Sequence, residues 1–327
     1  MPKANPSMNE RVQELTIRIF FATDVHGSDV CFRKFINAHA FYKADVLILG
    51  GDLTGKAVIP IVKGKDGTFH TDYFGTKYII KSQSELENLK KKLSNMGFYP
   101  YITTETQLQM LKDENKMVEI FKQLAIERIE EWIKLADERL KDMATKMIVC
   151  PGNDDGFYID NLFEKSKKII NAEGKIIEIF DKNDVYEVAN TGYANITPWN
   201  CPRDVSENDL ERKIESIVSH VKNMKNAIFQ FHCPPHGTNL DVATKLVDLK
   251  PIPGSTIAAG STAVRKAIEK YQPLLGLHGH IHESRGFYKI GRTLCINPGS
   301  EYGEGILRAA LIDLDKGKIK NFSLIQG

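Results

Sequence analysis

The stretch IRIFFATDVHG, residues 17–27, sets the pattern on which the rest of the chain is read. A short apolar run, Ile17–Ala22, stops abruptly at a polar Asp-x-His-Gly turn. The same sequence of events recurs four times. GGDLTG (50–55) follows Val46–Leu49, PGNDDG (151–156) follows 147–150, FHCPPHG (231–237) closes Ala227–Phe231, and GLHGHIHES (276–284) follows 274–277. Further β-type runs lie at 185–188, 293–296 and 307–312, and helical patterns lie between many of the runs, at 29–42, 160–171, 206–221 and 261–271. Such alternation predicts an α/β layered fold. In open α/β sheets ligands gather at the carboxyl ends of strands, and here five strand ends each deliver Asp, Asn or His.

Spacing and chemistry narrow the site. Asp24 and His26 are two residues apart, as are His280 and His282. If those segments are extended, each pair points to one side about 6–7 Å apart. Such pairs reach two ions separated by about 3.5–4 Å, the spacing of two-metal hydrolases. The candidate ligands are Asp24, His26, Asp52, Asn153, His232, His280 and His282, with glycines at 27, 50, 51, 152 and 279 allowing sharp turns beside them. Four imidazoles, one amide and two carboxylates suit a pair of divalent transition-metal ions, manganese first, then iron, zinc or nickel. Two such ions outweigh Asp24 and Asp52, so the site stays cationic and fits an anionic phosphate attacked by a metal-bound hydroxide.

In their order along the chain these blocks resemble the calcineurin-like metallophosphoesterase family, whose pattern runs DxH, GDxx, GNH[DE], a lone His, then GHxH. The match covers residues 24–282, and NPGS at Asn297–Ser300 resembles a segment that follows GHxH in many members. The resemblance implies a four-layer αββα sandwich of two mixed β-sheets flanked by helices, with metals at the strand carboxyl ends. It implies that Asp24, His26 and His282 hold one metal, that Asn153, His232 and His280 hold the other, and that Asp52 bridges both. It implies a phosphoester hydrolase. One position departs: the family histidine after GN is Asp154 here, followed by Asp155. That histidine stabilises the phosphoryl group or protonates the leaving oxygen. Asp154, if protonated, or His236 in the PPHG loop, is the candidate replacement, and good leaving groups are favoured. The arginine that protein phosphatases of the wider family carry soon after GD is also missing, with Lys56 nearby instead, which favours a small phosphodiester or nucleotide over a phosphoprotein.

The bulk numbers agree. The chain has 327 residues, 42% hydrophobic and 26% charged, with a net charge of +2. It reads as one domain carrying an insertion at 56–146, a hairpin turning at Asp66-Gly67 and then helices at about 84–96 and 105–142. The near-neutral charge gives no footprint for nucleic acid, so a nuclease of the same family is the alternative, and a non-catalytic scaffold is a further one. No apolar leader opens residues 1–16 and no long apolar run spans a membrane. Five scattered cysteines form no CxxC pair and read as reduced thiols, so a cytoplasmic location and a small phosphoester substrate are the expectation. His278 reads as a supporting residue, His39, His70 and His220 as structural or surface groups. Asn153, Thr262 and Arg265 are candidate substrate contacts, the last two from a Gly- and hydroxyl-rich stretch whose Ser261 is also a helix N-cap.

Overall fold

The computed structural model describes residues 16–111, 113–181 and 184–327; the leader reading of residues 1–15 lies outside them. Two six-stranded mixed sheets dominate. The first runs, edge to edge, Lys318–Gln326, Arg308–Asp315, Ile17–Ala22, Val46–Leu49, Lys146–Val149 and Ile169–Asn171. The second runs Gly286–Ile290, Thr293–Asn297, Leu275–Leu277, Ala227–Phe231, Val185–Thr191 and Ile176–Phe180.

The period-two alternation of the strands explains the layering. Ile17, Ile19 and Phe21, with Val46, Ile48, Ile148 and Cys150, face the second sheet and meet Val188, Ile228, Leu275, Leu277 and Ile296 in a core between the sheets. The intervening residues, Phe20, Ala22, Leu47, Leu49, Met147 and Val149, point the other way, onto the helices Asp29–Phe41 and Glu114–Leu140. On the far side Phe229, Phe231 and Cys295 pack against the helices Glu207–Val218 and Thr262–Tyr271. The order is helix, sheet, sheet, helix, the expected sandwich. Ser261 caps its helix as the sequence indicated, accepting from the Val264 amide at 3.1 Å.

Three local expectations are corrected. The helix read at 105–142 is two, Glu105–Met110 and Glu114–Leu140, because the Asp113 side chain caps the Asn115 amide and starts a new helix. Residues 160–171 are a 3-10 helix, Phe157–Lys165, and then an edge strand, Ile169–Asn171. Asp137 accepts from the Lys167 and Lys168 amides and from the Ser166 hydroxyl, which takes the chain out of the helical path. Between 56 and 146 the hairpin at Asp66-Gly67 is present, but it belongs to a four-stranded sheet whose edge strand, Phe98–Thr104, the sequence reading missed. Pro100 masks that strand, and an edge position is where a sheet tolerates proline.

This segment packs beneath the strand ends of the first sheet. Trp132 stacks on Phe32 with ring centroids 4.1 Å apart. Buried Arg128 donates to the Gly27 carbonyl at 2.7 Å and to Ser94 Oγ at 3.0 Å. The Tyr99 hydroxyl accepts from the Gly55 amide at 2.7 Å. Among the described residues no helix is long and apolar enough to cross a membrane. Removing Arg128 leaves a buried carbonyl without its charged donor. Arg128→Ala is therefore expected to cost about 2–4 kcal/mol in urea unfolding, whereas an exposed control, Arg212→Ala, stays within about 0.5 kcal/mol.

Candidate metal centre

Each site segment is a strand end that turns sharply. The turns after Ile17–Ala22 and Val46–Leu49 are zipped together, the Asp24 amide donating to the Gly51 carbonyl, His26 to Asp52 and Gly27 to Leu53. Asp24, His26, Asp52 and His280 all hold positive φ, between 40° and 68°. The expectation of extended Asp-x-His and His-x-His pairs is thereby overturned. Left-handed kinks bring the side chains inward, and Asp and His are among the residues that enter this region most readily. Gly51 at φ 124° lies so close to the His232 ring that a Cβ there would collide with Nδ1.

Two groups of side chains result. Asp24, His26, Asp52 and His282 place one ligand atom each within 4.8 Å of one another, and so do Asp52, His232 and His280. Asp52 belongs to both. Nε2 of His26 and of His282 are 3.0 Å apart, and His282 Nε2 is 3.3 Å from Asp24 Oδ1. His232 Nε2 lies 3.4 Å from Asp52 Oδ1. Asn153 Oδ1 is 2.9 Å from His280 Nδ1, while its amide nitrogen donates to Asp204 Oδ1 at 2.8 Å, so the oxygen is turned toward the cluster.

The cluster has the chemistry of a cation site. His232 Nδ1 sits 2.9 Å from the Gly50 carbonyl, leaving Nε2 buried with no hydrogen-bond partner. A ring nitrogen fixed by a carbonyl on one side and bare on the other is how proteins present histidine to metal. Burial pushes Asp24 and Asp52 upward, but His232 opposes it, and both carboxylates stand below their ordinary range. Burial lowers His26 and His280. Against the same burial, Asp24 raises His282. Two ionised carboxylates sunk in protein need compensating positive charge, and a mixed nitrogen and oxygen donor set suits divalent transition ions.

Asp155 has a task of its own. It accepts from the Leu53, Thr54 and Gly152 amides and from the Thr54 hydroxyl, tying the GD turn to the GN turn. Burial and the Asp52 charge push it up to about 6 while those amides pull it back. Asp154 pairs with Lys56, Nζ to Oδ2 at 2.5 Å, and its amide donates to Asp52 Oδ1 at 3.1 Å. His278 is buried with Nδ1 on the Phe231 and Cys233 carbonyls, bracing the strand that carries His232.

Three candidates have partners outside the cluster. Arg265 donates to the His236 and Gly237 carbonyls and so staples that loop. The Thr262 amide is taken by Glu207, which also holds the Ser261 hydroxyl and the Ala263 amide. The N-terminus of that helix is therefore already occupied by a carboxylate. His236 is half-exposed, with Nδ1 3.6 Å from Asp241. Two site residues were missed in the sequence. Asp204 orients Asn153 from the two-residue strand Asp204–Val205, which carries no motif. Tyr302 lays its ring 4.7 Å from that of His26, two residues past an NPGS segment whose Ser300 hydroxyl donates to the Asp24 carbonyl.

No family model matches the chain. The uncharacterized protein MJ1162 of Methanocaldococcus jannaschii is 33% identical over 165 residues, 49% of this chain and 68% of that protein. The structure of TT1561 from Thermus thermophilus superposes with a TM-score of 0.52 at 15% identity, covering 95% of this chain and 98% of the other. Another solved chain reaches a TM-score of 0.57 at 17% identity, over 94% and 99%. The chain shares the fold of these two solved structures, and at its strand ends it carries the Asp/His cluster that the resemblance to the calcineurin-like metallophosphoesterases implies. The chain belongs to the same family as MJ1162.

Two outcomes follow from this geometry. Added Mn is expected to raise the unfolding temperature, with about 2.7 kcal/mol of stabilisation at a hundredfold excess over Kd. Asp52→Asn, which removes the shared carboxylate, should abolish most of that shift in a thermal-unfolding titration. Asp155→Ala strands three buried amides and should cost about 2–4 kcal/mol in chemical unfolding without added metal.

Proposed function

We propose that the protein is a phosphoester hydrolase dependent on two divalent metal ions, acting as a phosphodiesterase on a small-molecule or nucleotide substrate. The observation that carries this reading is the pair of donor groups sharing Asp52, built from seven side chains on five strand ends once Asn153 is counted. Asp24, His26, His282 and Asp52 would hold one ion, and Asn153, His232, His280 and Asp52 the other, with manganese the first candidate. A bound pair of such ions supplies Lewis acidity and an activated water.

The chain's own residues do the rest. Gly50 fixes the His232 tautomer, Asp204 turns the Asn153 oxygen inward, and the Asp24 carboxylate accepts from the His280 amide at 3.0 Å. These contacts set the donors in place before substrate arrives, which lowers the reorganisation needed in the reaction. The segment 56–146 is proposed as an insertion that sets substrate access. Asp154 is already engaged by the Lys56 ammonium, so proton donation by Asp154 is not part of the proposal. A site short of a proton donor works best on esters whose leaving group needs none.

The test is an ester panel with Mn, Ni and Zn each supplied. Hydrolysis of bis-p-nitrophenyl phosphate above the monoester, lost by at least about a hundredfold in His232→Ala, is expected. Two bound ions with no turnover of any mono- or diester would overturn the assignment and favour a scaffold. Salt-sensitive cleavage of single-stranded DNA would move it to a nuclease.

A further inference from the structure

The pair Lys56–Asp154 is the feature that the metal ligands leave unexplained. Lys56 follows Asp52 by four residues and its amide donates to the Gly97 carbonyl at 3.2 Å, so the insertion fixes its backbone. Its Nζ is 2.5 Å from Asp154 Oδ2. The carboxylate is itself pinned. The Asp154 backbone is tied to Asp52, Oδ2 lies 3.8 Å from His26 Nδ1, and the Cys201 thiol donates to Oδ1 at 3.6 Å. That thiol is held protonated, since burial and then the Asp154 and Asp204 charges push it up to about 12. It offers no competing nucleophile.

The ammonium faces the cluster. Burial works against its charge, yet Asp52 first and Asp154 next keep its pKa above the ordinary lysine value. Its charge in turn bears on His26. The side chain is nonetheless 39% exposed. Lysine has three N–H donors, and one is engaged by Asp154. The ion pair adds no net charge to the site, but it fixes the direction of a strong dipole beside His26. An exposed ion pair held only for stability would need neither the pinned carboxylate nor the anchored backbone.

We propose that Lys56 grips the phosphoryl group, its ammonium contacting a non-bridging oxygen of the substrate while Asp154 acts as the positioning residue that holds it. The inference rests on the phosphoesterase reading and names the residue that orients that substrate. Asp154 then stands in the GN turn as an anchor for a cation. The position taken by a proton donor in similar proteins thereby becomes a means of binding phosphate oxygen.

The experiment uses the full chain loaded with Mn, inorganic phosphate as the binding probe, and the mono- and bis-p-nitrophenyl esters with their alkyl counterparts. Lys56→Met and Asp154→Asn are expected to weaken phosphate binding by about tenfold to a hundredfold, the worth of one charge-assisted hydrogen bond. Lys56→Arg should recover most of the loss. Two Mn per chain should remain in every variant, which separates lost grip from lost metal or lost fold. The ratio of aryl to alkyl ester turnover should stay fixed across the series, because a grip on a non-bridging oxygen is indifferent to the leaving group. A ratio that rises only in Asp154→Asn would make Asp154 a proton donor and overturn the proposal, as would phosphate affinity unchanged in Lys56→Met. A wild type that hydrolyses no ester yet loses phosphate affinity on Lys56→Met would defeat the phosphoesterase reading and leave the grip standing.

Discussion

Asp24 and Asp52 are buried together beside the imidazoles of His26 and His282, Asp52 stands beside those of His232 and His280 as well, and the arrangement of the strand ends follows from keeping them there. Like charges so placed repel, and burial adds a desolvation cost to each. The chain compensates with donors rather than with distance. The Thr23 hydroxyl and the His280 amide both donate to the Asp24 carboxylate, and the Asp154 amide donates to that of Asp52. Four ligands held at positive φ each cost about 1–2 kcal/mol of backbone strain relative to relaxed conformations. Such strain persists where surrounding contacts over-determine the backbone, and the amide zipper between the first two turns supplies that constraint.

The segment between 56 and 146 participates in this constraint from below. Arg128 and Tyr99 bond the backbone of Gly27 and Gly55, the two glycines that end the Asp24–His26 and Asp52 turns. Gly97 lies against the His26 carbonyl so closely that no side chain fits between them. A segment that merely covered the mouth would not need to touch the main chain of the ligand turns. The contacts found here mean that a change of geometry in this segment reaches the Asp/His cluster through hydrogen bonds to Gly27 and Gly55, which couples its stability to that of the cluster.

Much of this was legible in the sequence because the site is made of strand ends, and strand ends leave a local signature. An apolar run broken by Asp, Asn or His with glycine beside it is visible one segment at a time, and the common order of five such segments fixed the layered fold. What stayed hidden was held by distant partners. Phe98–Thr104 is a strand only because Ala57–Lys63 lies beside it. Its Pro100 argues locally against that assignment. The break before Glu114 depends on a single capping carboxylate within a continuous helical pattern. Asp204 and Tyr302 carry no motif at all, since their roles come from where a two-residue strand and a 3-10 turn happen to be set down. The periodicity argument erred at the ligands themselves, where left-handed kinks replace the extended backbone it assumed.

The two aspartates of PGNDDG show how one short turn divides its labour. Asp155 faces inward and takes the amides of the neighbouring turn, a role that depends on its carboxylate and not on the residue before it. The Asp154 position is therefore free to change chemically without loosening the GN turn, because its backbone amide, which any residue supplies, makes the contact to Asp52. Its partly exposed side chain meets Lys56, a residue whose amide is anchored on the Gly97 carbonyl. A carboxylate at this point would by itself oppose an incoming phosphate. Paired with an ammonium that is fixed on a second element, it instead orients a positive charge. An aspartate is accommodated at this turn because Lys56, held through its amide on the Gly97 carbonyl, stands beside it, and the two residues form one electrostatic unit.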